Sequence, residues 1–172
     1  MTNKARMGAM ITTGAIGGFI GAFAINQFHS VWSSALKSLG VGQSPQQQSS
    51  SQDDDATQKA GRAIAEQVFD HEPTKSEKQK AATAVHYGIG TLMGAVYGVA
   101  AETLPISRAG RGTLYGGAVW LFADEIAVPA FGVSGSPIKT PLSTHAEALA
   151  SHLVYGFVTD LVLRTFLGNR AG

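Results

Sequence analysis

Cysteine is absent from all 172 residues, which removes a disulfide framework, a thiolate metal site and a cysteine nucleophile together. Charge is scarce as well: Asp, Glu, Lys and Arg make up 15% of the chain, against about 25% in a typical soluble domain. The basic and acidic residues nearly cancel to a net charge of +1, and no basic stripe runs along the chain, so nucleic acid is excluded as a partner. Recognisable catalytic signatures are missing too. There is no GxSxG, no HExxH and no GxxxxGK[ST], and the glycine-rich runs lack the flanking strand of a dinucleotide site. Nothing in the chain supports an enzyme, and no cofactor is implied.

What the chain has in quantity is apolar residues, 44% of the total, and glycine, 21 residues. Nearly half of the charged residues lie between Asp53 and Lys80, which leaves long stretches on both sides almost free of charge. An apolar helix needs about 20 residues to cross a hydrocarbon layer of about 30 Å. Four runs have that length: Met7–Phe28, Ala81–Leu104 (ended by Pro105), Gly112–Phe131 and Thr144–Leu167. The expectation is an all-α, four-helix transmembrane bundle, with an N-terminal span in residues 1–28, a polar segment in 29–80 and a three-helix core in 81–172.

The middle of the polar segment, GQSPQQQSSSQDDD, is low-complexity and too poor in apolar residues to fold. Its flanks, HSVWSSALKSLG and ATQKAGRAIAEQVF, carry apolar residues at helical spacing and read as amphipathic helices resting on a membrane surface. A cleavable signal peptide competes for the first run, since Lys4 and Arg6 precede it and Ala22-Phe23-Ala24 has small residues at cleavage spacing. The run is longer than a usual signal core, and its glycines recur at packing intervals, which favours a retained span.

Those intervals are four residues: Gly14 and Gly18, Gly17 and Gly21, Gly90, Gly94 and Gly98, and Gly112 with Gly116. In water each mid-helix glycine costs about 1 kcal/mol relative to alanine. In lipid, where no hydrophobic force draws helices together, small-xxx-small faces permit the close approach that supplies packing. The triple on the second run predicts that this helix is central in the bundle.

Two carboxylates, Asp124 and Glu125, sit inside VWLFADEIAVPAF. On the insertion scale they cost about 5 to 6 kcal/mol together, while the large apolar residues of their run return about 4. They therefore enter the membrane protonated, paired or facing a polar cavity. When the runs are threaded alternately through the membrane, His86, Asp124, Glu125, His145, Glu147 and His152 fall in the half beside the polar segment. His145 and His152 are seven residues apart and share a helical face, and Trp120, one turn before Asp124, is placed to cover it. The expected site is a polar pocket between helices two, three and four, in which these groups exchange protons or bind a cation. A mixed His/Asp/Glu set suits a metal such as zinc or iron, yet the spacing fits no metal motif, so a metal is left open. The alternative is a salt-bridge and hydrogen-bond network that locks helix three to helix four. Asp160 and Arg164 read as a local ion pair at the interface, and Glu102 as a helix-end charge.

The residues VAAETLP (Val99–Pro105), YGGAVWLFADEIAVPAFGV (Tyr115–Val133), the proline-containing loop to Pro141, HAEALASHLVYG (His145–Gly156), Asp160 and Arg164 together resemble the YagU-like family of bacterial multipass membrane proteins. The resemblance implies an inner (plasma) membrane location, both termini in the cytoplasm and a link to stress, acid resistance in the member that gives the family its name. Charge bias agrees by one residue: Lys4, Arg6, Arg108, Arg111, Arg164 and Arg170 lie at one side, Lys37, Lys75, Lys78, Lys80 and Lys139 at the other. The expected function is a small integral membrane protein that handles protons, a cation or a small solute. The rival is a non-catalytic accessory subunit of a membrane complex. The expected partners are the lipid bilayer and either further copies of the chain or a larger membrane assembly.

Overall fold

The computed structural model describes residues 2–40, 74–127 and 140–168. Their regular structure is entirely helical: α1 (Asn3–Ser38), α2 (Lys75–Thr103), a 3-10 turn (Pro105–Arg108), α3 (Thr113–Trp120) and α4 (Leu142–Leu167). A π-helical segment, Leu121–Ala127, continues α3 without a break. The low-complexity middle of the polar segment, its ATQKAGRAIAEQVF flank, the end of the third apolar run and the proline-containing loop through Pro137 lie outside the described residues.

Local chemistry sets the helix ends. The Thr2 hydroxyl accepts from the Ala5 N–H at the start of α1. A reciprocal capping box opens α2: Thr74 Oγ1 accepts from the Glu77 N–H at 3.3 Å, and Glu77 Oε2 accepts from the Thr74 N–H at 2.7 Å. Pro105 stops α2, forcing Leu104 into an extended conformation. Gly110, Arg111 and Gly112 then reverse the chain, all three at positive φ. Arg111 bears the strain of that turn, about 1–2 kcal/mol for a residue with a Cβ.

Among the described residues three helices, α1, α2 and α4, are long and apolar enough to cross a membrane. Of the run Gly112–Phe131 the described residues include α3 and its π-helical continuation, 8 and 7 residues, and its last four residues lie outside them. The HSVWSSALKSLG flank departs from expectation: it is no separate surface helix but continues α1 as far as Ser38. No proline or glycine interrupts it before Gly40, and its serines, normally helix-weakening, bond back inside the helix. Ser33, Ser34 and Ser38 donate to the carbonyls of His29, Ser30 and Ala35 at 2.6, 2.8 and 2.7 Å. The resulting 36-residue helix is about 54 Å long, well over the hydrocarbon thickness.

The order of packing corrects the expectation for the second helix. α1, not α2, is central: it packs against both α2 and α4, α3 packs mainly against α4, and α2 meets α4 only sparsely. The glycine triple of α2 serves a single neighbour. Gly94 lies against Gly14 and Gly18, Gly98 against Met10, and Gly90 against Ala22. The two glycine pairs of α1 point in different directions. Gly14 and Gly18 meet α2, whereas a Cβ on Gly17 or Gly21 would strike Thr159 or Tyr155 of α4. A third close crossing joins α3 to α4, with Gly112 and Gly116 against Gly156 and the His152 carbonyl.

Side chains are distributed inversely to a water-soluble bundle. Small or polar residues, including Ala22, Ser151, Thr159 and Asp160, are buried, while Ile16, Phe19, Phe23, Ile89, Leu92, Leu121, Phe122 and Phe166 are exposed. Such an apolar exterior suits lipid and not water. Three tyrosines then tie the layers through their hydroxyls. Tyr155 donates to the Gly90 carbonyl and Tyr115 to the Met93 carbonyl, both at 2.7 Å, and Tyr97 donates to Asp160 Oδ1 at 2.6 Å.

The helix-crossing account predicts that Gly94→Val, whose new Cβ would lie 2.5 Å from the Gly18 Cα, destabilises the bundle by about 1–3 kcal/mol or more. Gly8→Ala, which meets nothing within 4 Å, leaves it unchanged. Unfolding in detergent followed by helicity checks both, and equal stability of the two variants would contradict the packing.

Candidate functional site

The π-helical segment carries both acids of the third run. A π-turn is wider than an α-turn, so successive side chains diverge less, and such segments within helices concentrate at functional positions. Here the wider turn presents Asp124 and Glu125 to α4 together. Glu125 Oε1 lies 2.5 Å from His145 Nδ1. Asp124 Oδ2 lies 3.7 Å from His152 Nδ1, but that nitrogen donates to the Ala148 carbonyl at 2.9 Å, so the Asp124–His152 contact is electrostatic rather than a hydrogen bond.

A third pair joins them from the central helix. Glu147, whose side chain is only 4% exposed, contacts His29 Nδ1 of α1 at 3.0 Å. The sequence reading placed Glu147 with the other acids but gave it no partner. His29 belonged to a stretch read as a surface flank, and only the unbroken extension of α1 carries it to α4. His86 goes elsewhere: its Nε2 is 3.1 Å from the Ala22 carbonyl, which makes that nitrogen the donor and fixes α2 to α1. The Trp120 indole N–H and the Thr144 hydroxyl are buried in this region with no hydrogen-bond partner among the described residues. Gly90, Gly94 and Gly98 pack against α1 as described above and take no part in these pairs.

An imidazole beside a carboxylate can hold one shared proton in two ways, as an ion pair or as two neutral groups. The second form lowers the cost of burying both. Among the described residues no group of three or more His, Asp or Glu side chains is arranged to hold a metal ion; the geometry is one of separate pairs.

A second polar cluster lies further along α4. Asp160 is completely buried; its Oδ2 accepts from Arg164 Nε and its Oδ1 from the Tyr97 hydroxyl, and Arg108 Nε stands 3.7 Å from Oδ1. It thus links α2, the 3-10 turn and α4, so it is far more than the local interface pair expected from the sequence. One signal was available: Asp160 is one helical turn beyond Gly156, on the face that meets Gly112, and a residue there has to point inward. Nearer the same end, Arg6 pairs with Glu102 at 2.9 Å and ties α1 to α2 in a more exposed position.

Among the described residues these features define an all-α arrangement of four helices, three with the length and composition of membrane spans, stitched by ion pairs whose carboxylates are buried. Residues 43–161 match the family described as a protein of unknown function, DUF1440, and the chain belongs to that family. The match includes Asp124, Glu125, His145, Glu147, His152 and Asp160, and it excludes His29 and Arg164. No curated protein and no solved structure matches the chain.

Asp160 is buried while its partners Arg108 and Arg164 are 38% and 45% exposed, so its pairs are screened less than that of Arg6 and Glu102, an exposed pair of a kind that contributes about 0–1 kcal/mol. Asp160→Asn is therefore expected to lower stability several-fold more than Glu102→Gln, measured by thermal unfolding of the detergent-solubilised chain. The reverse order would contradict the placement of Asp160.

Proposed function

We propose that this chain is a multipass protein of the bacterial inner membrane, with both termini cytoplasmic, whose imidazole–carboxylate pairs handle protons or a small cation. Asp124 and Glu125 are the titrating groups, with His152 and His145 as their partners. The observation that carries this reading is the concentration of three His–carboxylate contacts, 2.5, 3.0 and 3.7 Å, at one end of the bundle. Intramembrane carboxylates are expensive and mark proton or ion paths, and an imidazole nitrogen can either give or take the proton that a carboxylate exchanges. The buried Trp120 N–H and Thr144 hydroxyl, which have no partner among the described residues, add donors that water or a small solute would satisfy. The resemblance to YagU-like proteins supports the choice of membrane.

A second reading has its own support. Each of the three carboxylates already faces an imidazole on another helical segment, the arrangement of an interhelical lock in an accessory subunit. Flux separates the two readings. In proteoliposomes the parent is expected to conduct protons or a monovalent cation, and Asp124→Asn with Glu125→Gln is expected to reduce that flux at least about tenfold, the factor that corresponds to 1.4 kcal/mol on a barrier. No flux in the parent, or equal flux in the variant, would leave the lock as the function of these pairs.

A further inference from the structure

The end of the bundle that carries Asp160 is not neutral. Arg164 and Arg108 both approach the Asp160 carboxylate, and Arg111 stands beside it, lining with Phe157, Asp160, Leu161 and Arg164 a cavity of about 180 Å³. Three guanidiniums against one carboxylate leave two positive charges uncompensated. Arg164 satisfies Asp160 Oδ2. Arg108 Nε, although buried, has no hydrogen-bond partner among the described residues, and Arg111 has no ion pair among them.

The position of Arg111 is itself unusual. It holds φ at +56° between Gly110 at +59° and Gly112 at +83°, and a residue with a Cβ persists in that region only where its surroundings over-determine it. The turn between α2 and α3 thus holds the backbone of Arg111 at the rim of the cavity that this residue lines. Below the rim the wall changes character. Phe157 and Leu161, 38% and 51% exposed, are apolar and continue the outer surface of α4.

We propose that this cavity binds the phosphate of an anionic phospholipid headgroup, with Arg111 and Arg164 as its ligands and the first acyl carbons lying on Phe157 and Leu161. Guanidiniums match phosphate oxygens in geometry as well as in charge, and basic pockets between spans at the cytoplasmic side are suited to anionic headgroups. The volume agrees: at about 30 Å³ for each water, the cavity has room for roughly six waters or for a phosphate group with its first shell. A free phosphate has the same charged chemistry, but only a lipid also uses the lateral apolar wall. The proposal rests on membrane placement and is independent of proton handling at the other end.

The test titrates the full chain, purified in a nonionic detergent, with phosphatidylglycerol or phosphatidylcholine and counts bound lipids by native mass spectrometry. One basic residue near an anionic surface corresponds to about fivefold in affinity. The parent is expected to bind phosphatidylglycerol at least about fivefold more tightly than phosphatidylcholine. Arg111→Gln is expected to remove that factor and Arg111→Lys to keep most of it. Arg111→Gly removes the charge while relaxing the left-handed turn, so it replaces Arg111→Gln should the latter fail to fold. Equal affinity of the parent for both lipids overturns the proposal, as does full preference in the uncharged variants. Displacement of phosphatidylglycerol by an equal concentration of inorganic phosphate overturns the lipid assignment, whereas retention supports it.

Discussion

Backbone contact across facing glycines is the constraint on which the rest of this bundle depends. Gly14 and Gly18 of α1 touch Gly94 of α2, and Gly112, which precedes α3, and Gly116 within it flank Gly156 of α4, so closely that a Cβ at these positions would overlap a neighbouring backbone. An apolar solvent gives no hydrophobic reward for bringing helices together, and association depends on such contact together with polar links. Only at this separation do the longer side chains bridge the layers. Tyr155 reaches the Gly90 carbonyl and Tyr97 reaches Asp160 because α1 is slim where it packs against α2 and α4.

The polar residues divide into two clusters of different chemistry. At the His29 end, each carboxylate faces an imidazole, a partner that can surrender its proton and leave both groups neutral. At the Asp160 end, the partners are arginines, which do not deprotonate in proteins. Charge there is permanent, and Asp160 is the carboxylate that Arg108 and Arg164 share. The two ends therefore differ in kind, with imidazole–carboxylate contacts at one and guanidinium–carboxylate contacts at the other.

Much of this was legible in the sequence, and the failures have identifiable physical causes. Helix identity and the pairing of Asp124 and Glu125 with residues of α4 followed from hydrophobic length and from the seven-residue spacing of His145 and His152. The glycine ridges were legible as ridges, but a single face such as Gly90-Gly94-Gly98 reports one contact line and not centrality. The two faces of α1, Gly14/Gly18 and Gly17/Gly21, were the sign of a middle helix. The π-helical segment left no signature, because Leu121–Ala127 has no proline or glycine to mark a change of register. His29 was missed since a serine-rich stretch reads as a helix end unless its hydroxyls are known to bond within the helix. Asp160 was undervalued because an i,i+4 partner, Arg164, offered a sufficient local explanation.

The absence of native cysteine makes the central contact directly measurable. An added Cβ at Gly90 would lie 2.7 Å from the Ala22 Cβ, near enough for a disulfide after a small adjustment. Introducing Ala22→Cys with Gly90→Cys, oxidising in the membrane and digesting with trypsin should join the peptides Met7–Lys37 and Ala81–Arg108, while Ala22→Cys with Ile89→Cys, on the exposed face of α2, should leave them separate. Linkage of both pairs alike, or of neither, would contradict a bundle held by glycine contact between α1 and α2.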